Sequence, residues 1–98
     1  MNATVPRFFS LEQNYPNPFN STTIIRFALP TGNEVELSLF NLVGQKVATL
    51  VGGYRQAGTY TLHWDGRDDH GRTLASGVYL YRLRAGEQVG TRRLLLLK

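Results

Sequence analysis

The run Thr22-Thr23-Ile24-Ile25-Arg26-Phe27-Ala28-Leu29 decides the fold, together with the turn Pro30-Thr31-Gly32-Asn33 and the run Glu34-Val35-Glu36-Leu37-Ser38-Leu39-Phe40-Asn41 that follows. Both runs alternate with period two, which predicts half-buried strands. In the first, Thr23, Ile25, Phe27 and Leu29 share one face and Arg26 takes the other. In the second, Val35, Leu37 and Leu39 point one way and Glu34, Glu36 and Ser38 the other. The proline and glycine between them mark a turn.

The same alternation extends outward. A turn around Val43-Gly44-Gln45 leads to a short strand marked by Val47 and Leu50. From Thr59 to Trp64, Tyr60, Leu62 and Trp64 oppose Thr59, Thr61 and His63. From Val78 to Ala85, Tyr79, Tyr81 and Leu83 oppose Leu80, Arg82 and Arg84. A final strand is predicted over Gln88 to Leu97, and an N-terminal one near Phe8 to Glu12. Turn formers punctuate these runs at Gly52-Gly53, Ala57-Gly58, Asp65-Gly66, His70-Gly71, Ser76-Gly77 and Ala85-Gly86. Helical periodicity never persists beyond one turn. The fold class is therefore all-β, with six or seven short strands in a two-layer antiparallel sandwich. Tyr60, Trp64 and Tyr81 read as core aromatics, whereas Phe40, on a polar face, and Tyr54, in a loop, read as exposed.

Ninety-eight residues make one domain. At this size a chain buries roughly 60–70% of its unfolded surface, enough for one modest core. With no cysteine, disulfides and thiolate metal sites are excluded. No apolar stretch approaches the roughly 20 residues of a membrane helix, and no N-terminal segment reads as a signal peptide. An export signal, if there is one, is expected on a longer parent. Residues 1–10 read as a linker or leader, and 11–98 as the domain. Asn2-Ala3-Thr4 and Asn20-Ser21-Thr22 match the glycosylation sequon, a pattern too common to carry weight.

The net charge of +4 lies at one end. Up to Arg72, six basic residues balance six acidic ones; thereafter Arg82, Arg84, Arg92, Arg93 and Lys98 face Glu87 alone. A basic end suits an acidic or phosphate-bearing partner. A solvated strand face is the simpler account of so small a patch, and no nucleic-acid partner is expected.

No catalytic site is expected. The only histidines are His63, on an outward parity, and His70, in a turn, and no serine sits in a Gly-x-Ser-x-Gly elbow. The loop Asp65-Gly66-Arg67-Asp68-Asp69-His70-Gly71 resembles a calcium loop in its oxygen donors and glycines. It lacks a following bidentate Glu, and Asx-turns account for its aspartates, so neither a metal nor another cofactor is expected.

The most unusual segment is Arg92-Arg93-Leu94-Leu95-Leu96-Leu97-Lys98. Parity puts Leu95 and Leu97 on one face and Leu94 and Leu96 on the other. A single sheet face cannot bury both pairs. These seven residues are the candidate partner-recognition site, either as a core-completing strand or as a strand whose backbone pairs with a receptor edge. Self-association through the same apolar edge is a hazard.

Several segments, in order, resemble the C-terminal sorting domain of type IX (Por) secretion cargo, type A. They are Leu11-Glu12-Gln13-Asn14-Tyr15-Pro16-Asn17-Pro18-Phe19-Asn20, the strand Thr22 to Leu29, and Leu42 to Leu50. Ala57 to Tyr60, Trp64-Asp65-Gly66, Ala75 to Tyr81 and the closing Thr91 to Lys98 complete the set. From Trp64 to Tyr81 the chain also resembles the immunoglobulin-like domain of flagellar hook-capping proteins. The resemblance covers residues 11–98 and implies a seven-stranded immunoglobulin-like sandwich. It further implies a non-catalytic address tag on a larger secreted enzyme of a Gram-negative bacterium, carried through the periplasm and outer membrane to the cell surface or beyond. The implied partners are the outer-membrane type IX machinery and a sortase-like peptidase that cuts in the linker near or before Ser10. A carbohydrate-binding module using Phe40 and Tyr54, or a structural immunoglobulin-like module, is the alternative.

Overall fold

Seven strands form where the alternation predicts them: β1 (Ser10–Leu11), β2 (Thr23–Leu29), β3 (Asn33–Phe40), β4 (Lys46–Arg55), β5 (Gly58–Trp64), β6 (Gly77–Ala85) and β7 (Gln88–Leu96). The structure, a computed structural model, describes residues 5–97. Lys98, the first sequon and the start of the leader lie outside the described residues. One sheet has the order β1-β2-β5 and the other β4-β3-β6-β7, every pair antiparallel. Two such sheets packed face to face make an immunoglobulin-like sandwich.

Parity assigns the core. Thr23, Ile25, Phe27 and Leu29 of β2 are all buried, facing Val35, Leu37 and Leu39 of β3 and Tyr79, Tyr81, Leu83 and Ala85 of β6. Burying one such large apolar side chain is worth about 1.5–3 kcal/mol. Strand propensities span only about 1 kcal/mol, so parity decides which face each residue takes. Phe27 and Tyr60 stack at 5.2 Å across the β2–β5 pair.

Three details differ from the expectation. Gly52 and Gly53 do not turn the chain. They pass through the ladder opposite Glu36 and Val35, so Tyr54 belongs to β4 and not to a loop. Gly53 absorbs the local twist with φ 104°, open to glycine alone. The short strand expected around Val47 and Leu50 is a ten-residue strand, and the register shifts by one at each of those residues. Such bulges bend the edge strand and spoil it as a pairing template. Phe40 is half-buried, because the Arg82 guanidinium lies 4.6 Å from its ring centroid.

The outer face of the larger sheet has a charged centre. Ser38 is buried there and donates to Glu36 at 2.6 Å, while Lys46 and Arg84 pair with the same carboxylate. These contacts, the Lys46 hydrogen bond first, pull the Glu36 carboxyl down to about 2.

The segment after β1 is held from inside. Asn14 N–H donates to the buried Tyr81 hydroxyl, which donates in turn to the Glu12 carbonyl, both at 2.7 Å. Burial pushes this hydroxyl up to about 12, so it stays a donor at any ordinary pH. The Asn14 side chain, also buried, bonds Thr23 Oγ1 and the Pro16 carbonyl. Among the described residues no buried side-chain nitrogen or oxygen lacks a partner.

Two outcomes are expected. Tyr81→Phe strands a buried N–H and a carbonyl, and should lower unfolding free energy by about 1–3 kcal/mol in urea titration. Glu36 has a depressed folded pKa, so its contribution is complete above the ordinary carboxylate value of 4.5 and is lost as pH falls toward about 2. Unfolding midpoints of the parent and Glu36→Gln should differ most above pH ~5 and converge toward pH ~2.

Candidate functional site

The last strand is divided by parity, and the register says how. Val78 opposes Leu95, Tyr79 opposes Leu94, and Gly77 opposes Leu96. Leu94 and Leu96 therefore point inward with Tyr79 and are fully buried. Leu95 lies half-buried on the outer face beside Val78, and Leu97 is 46% exposed. Arg92 shares the inward parity at the rim of the sandwich, where its Nε donates to the Leu11 carbonyl at 2.8 Å. Arg93 is exposed on the outer face, opposite Leu80.

The second edge of β7 is occupied. Gln13 Nε2 donates to the Arg93 carbonyl at 2.6 Å, and Leu95 N–H donates to Asn17 Oδ1 at 2.9 Å. Phe19 N–H donates to the Leu95 carbonyl at 3.1 Å, and Leu97 N–H to the Phe19 carbonyl at 2.8 Å. Residues 12–19 thus run down β7 as a strap, with cis peptide bonds at Tyr15-Pro16 and Asn17-Pro18. Phe19 is buried against Trp64, ring centroids 5.6 Å apart. A Cβ at Gly66 would meet Leu96 and Phe19 at 3.6–3.8 Å, so the loop backbone closes directly over this cluster.

This arrangement corrects one mechanism. The backbone groups at Arg93, Leu95 and Leu97 that would pair with a receptor strand are already bonded within the chain. What the segment presents outward is side chains: Arg93, Leu95 and Leu97. The basic excess is likewise partly engaged, with Arg82 over Phe40, Arg84 on Glu36 and Arg92 on Leu11.

The aspartate loop is built as a turn. Asp68 Oδ1 accepts from the His70 and Arg72 N–H groups, each at 2.9 Å. The Arg72 N–H is the largest influence holding this carboxyl below its ordinary value. Asp69 accepts from Thr49 N–H at 2.9 Å, which ties the loop to the edge of β4. Trp64 Nε1 donates to the Arg67 carbonyl, so the indole is anchored in the fold with 5% exposure. Phe40 and Tyr54 share the outer face but do not form one platform. Tyr54 opposes Glu34, six residues from Phe40 along β3 or about 20 Å at strand spacing, and Arg82 covers Phe40.

Sequence reasoning found the leucines but not the strap. Asn14 to Asn20 reads as a turn-rich opening, and nothing local announces that Asn17 and Phe19 bond residues 78 positions away. The one available signal is Phe19, a large apolar side chain isolated among prolines and asparagines that needs a core to enter.

Comparisons with known proteins agree with this architecture. No curated protein matches the chain in sequence. Among solved structures, dimeric latent PorU from Porphyromonas gingivalis is similar at TM-score 0.70 and 14% identity, covering 99% of this chain and 10% of PorU. PorZ, a surface component of the type IX secretion system of the same bacterium, is similar at TM-score 0.55 and 18% identity, covering 92% of this chain and 11% of PorZ. The chain therefore spans about a tenth of each protein, and the likeness is one of fold. The FlgD Ig-like domain family matches residues 15–88, from the strap to the start of β7, and the chain belongs to that family.

Proposed function

We propose that this domain is a non-catalytic sorting domain, which directs a larger cargo protein across the outer membrane to the cell surface through a type IX secretion system. The observation that carries the reading is the division of the last strand. Leu94 and Leu96 complete the core, while Leu95, Leu97 and Arg93 stand outward on a strand whose backbone is already paired. The outward pair lies outside the core that the fold fills. The likeness in fold to parts of PorU and PorZ supports the type IX assignment. The machinery then reads apolar side chains on a finished sandwich, and a sortase-like peptidase acts in the linker before β1.

Deleting residues 94–98 is a poor test, because it removes two core leucines along with the signal. Leu94→Ala or Leu96→Ala should cost about 2–5 kcal/mol of stability. Leu97→Ser should stay within about 0.5 kcal/mol. The informative variant is Leu95→Ser/Leu97→Ser behind a reporter in a bacterium with a working type IX system. Surface delivery should fall about tenfold, the effect of about 1.4 kcal/mol lost at a recognition site, while the half-buried Leu95 makes the double variant about 1–2 kcal/mol less stable but still folded. Full delivery by that folded variant would refute the role given to the leucines, and failure of the parent domain to deliver at all would refute the sorting role.

A further inference from the structure

Three of the four outermost strands are closed to pairing from outside. β7 carries the strap, β4 carries two bulges and the Asp69 bond, and β1 is two residues long and packs beside Gly90 of β7. The fourth is β5, the outer strand of the smaller sheet. Among the described residues, no backbone group on its outer side has a partner. Its sequence, Gly58-Thr59-Tyr60-Thr61-Leu62-His63-Trp64, holds no proline and no formal charge at neutral pH, and its ladder with β2 has no bulge. Those are the devices that ordinarily blunt a sheet edge.

The hydrogen-bond phase of β5 follows from its neighbour. Ile24 exchanges both backbone bonds with Tyr15, at 2.8 and 2.9 Å, and the Arg26 carbonyl accepts from the Glu12 N–H at 2.9 Å. These β2 residues therefore direct their backbone groups away from β5. Their ladder partners, His63 and Thr61, direct theirs to the open edge, and so by the same alternation does Thr59 opposite Ala28. The side chains of all three are exposed on the outer face. On the inner face Tyr60 and Leu62 are only half-buried, as are Leu50 and Val51 of β4, so the seam between the sheets is open on this side. A cleft of about 420 Å³ lies at its Trp64 end, between that residue, Leu62, Ala48 and Leu50.

We infer that β5 pairs antiparallel with β5 of a second copy of this chain, about a twofold axis at Thr61, so that two three-stranded sheets become one continuous sheet. Register selects the second copy. With the axis at Thr61, Thr61 opposes its own counterpart and Thr59 opposes His63, so every outward N–H and C=O of the three residues finds a partner. An axis at Tyr60 or Leu62 leaves some of them unpaired. The side chains across the join agree with it. Threonine meets threonine on the outer face, a favourable cross-strand pair, and Tyr60 meets Leu62 at the open seam, where each is half-buried in the single sandwich. Charge agrees as well. Arg55, just before β5, has no carboxylate partner among the described residues. After β5, Asp65 and Asp68 pair with Arg67 and Arg72, and Asp69 is left without a cation. Antiparallel pairing brings the basic entry of each β5 to the acidic exit of the other. The chain before β1 is not the occupant, because it enters on the opposite side of β2. A join of seven residues is about 24 Å long and at most about 20 Å wide, or about 500 Å² per copy against roughly 800 Å² in a standard interface. The dimer is therefore weak and forms where copies are concentrated.

The β5 join does not rest on the sorting reading, and the purified whole chain tests it alone. Analytical ultracentrifugation from about 10 μM to about 1 mM should show a monomer–dimer equilibrium. Thr61→Pro removes the N–H at the axis. The monomer keeps its fold, because proline is tolerated where the N–H of an edge strand faces outward. Its dimerisation should weaken by about tenfold or more. Thr61→Lys and Thr61→Glu test the register, and both fold because the side chain is exposed. Each alone sets like charges opposite one another across the axis and should stay monomeric, whereas an equal mixture of the two should form a heterodimer. A parent chain that stays monomeric throughout would overturn the join. So would a dimer that Thr61→Pro leaves intact, or a Lys/Glu mixture no more associated than either variant by itself. Should Thr61→Pro lose its fold by circular dichroism, the charge-swap pair still decides.

Discussion

The fold turns on one buried hydroxyl. Tyr81 projects from the middle of β6 into the sandwich, and its oxygen takes a proton from Asn14 and gives one to Glu12. A phenol in an apolar interior must find partners, and here the partners are backbone groups of a segment with no strand of its own. Satisfying the tyrosine therefore fixes where residues 12–14 run. Once they are fixed, Asn17 and Phe19 fall beside β7, and Phe19 enters the core against Trp64. Remove the hydroxyl and the strap loses its inner anchor. The cover over β7 depends on the same contact.

Sheet edges explain much of what remains. An open sandwich offers unpaired strands to any passing chain. Here β7 is covered by the strap, and β4 carries two bulges with Asp69 bonded to its Thr49 N–H. Both ends of the four-stranded sheet are thus closed to casual strand pairing. Side chains on its faces, and not strand edges, are what the four-stranded sheet leaves accessible.

The strands were legible because their signal is local. Alternation in Thr23 to Leu29 and Glu34 to Phe40 names both the element and its inner face, since area burial outweighs propensity at each residue. Gly52-Gly53 misled for the same reason: two glycines look like a break, yet the pairing of Tyr54 and Arg55 with Glu34 and Asn33 carries the strand through them. Phe40 was placed on the correct face, but the arginine above it comes from β6, and pairing between strands cannot be read from one strand. For the leucines, parity gave the two pairs and could not say which was inside. That answer depends on the direction of β7 against Tyr79, which is a fact of the whole sheet.

The strap and the last strand have a consequence for timing. Leu11 bonds Arg92 across 81 positions, and Asn17 bonds Leu95 across 78. The first and last parts of the domain finish each other, and neither is in place without the other. A chain cut short before β7 has the middle strands but not the covered edge or the buried Leu94 and Leu96. The closed surface is then also a report on length, because it forms only in molecules that hold both segments.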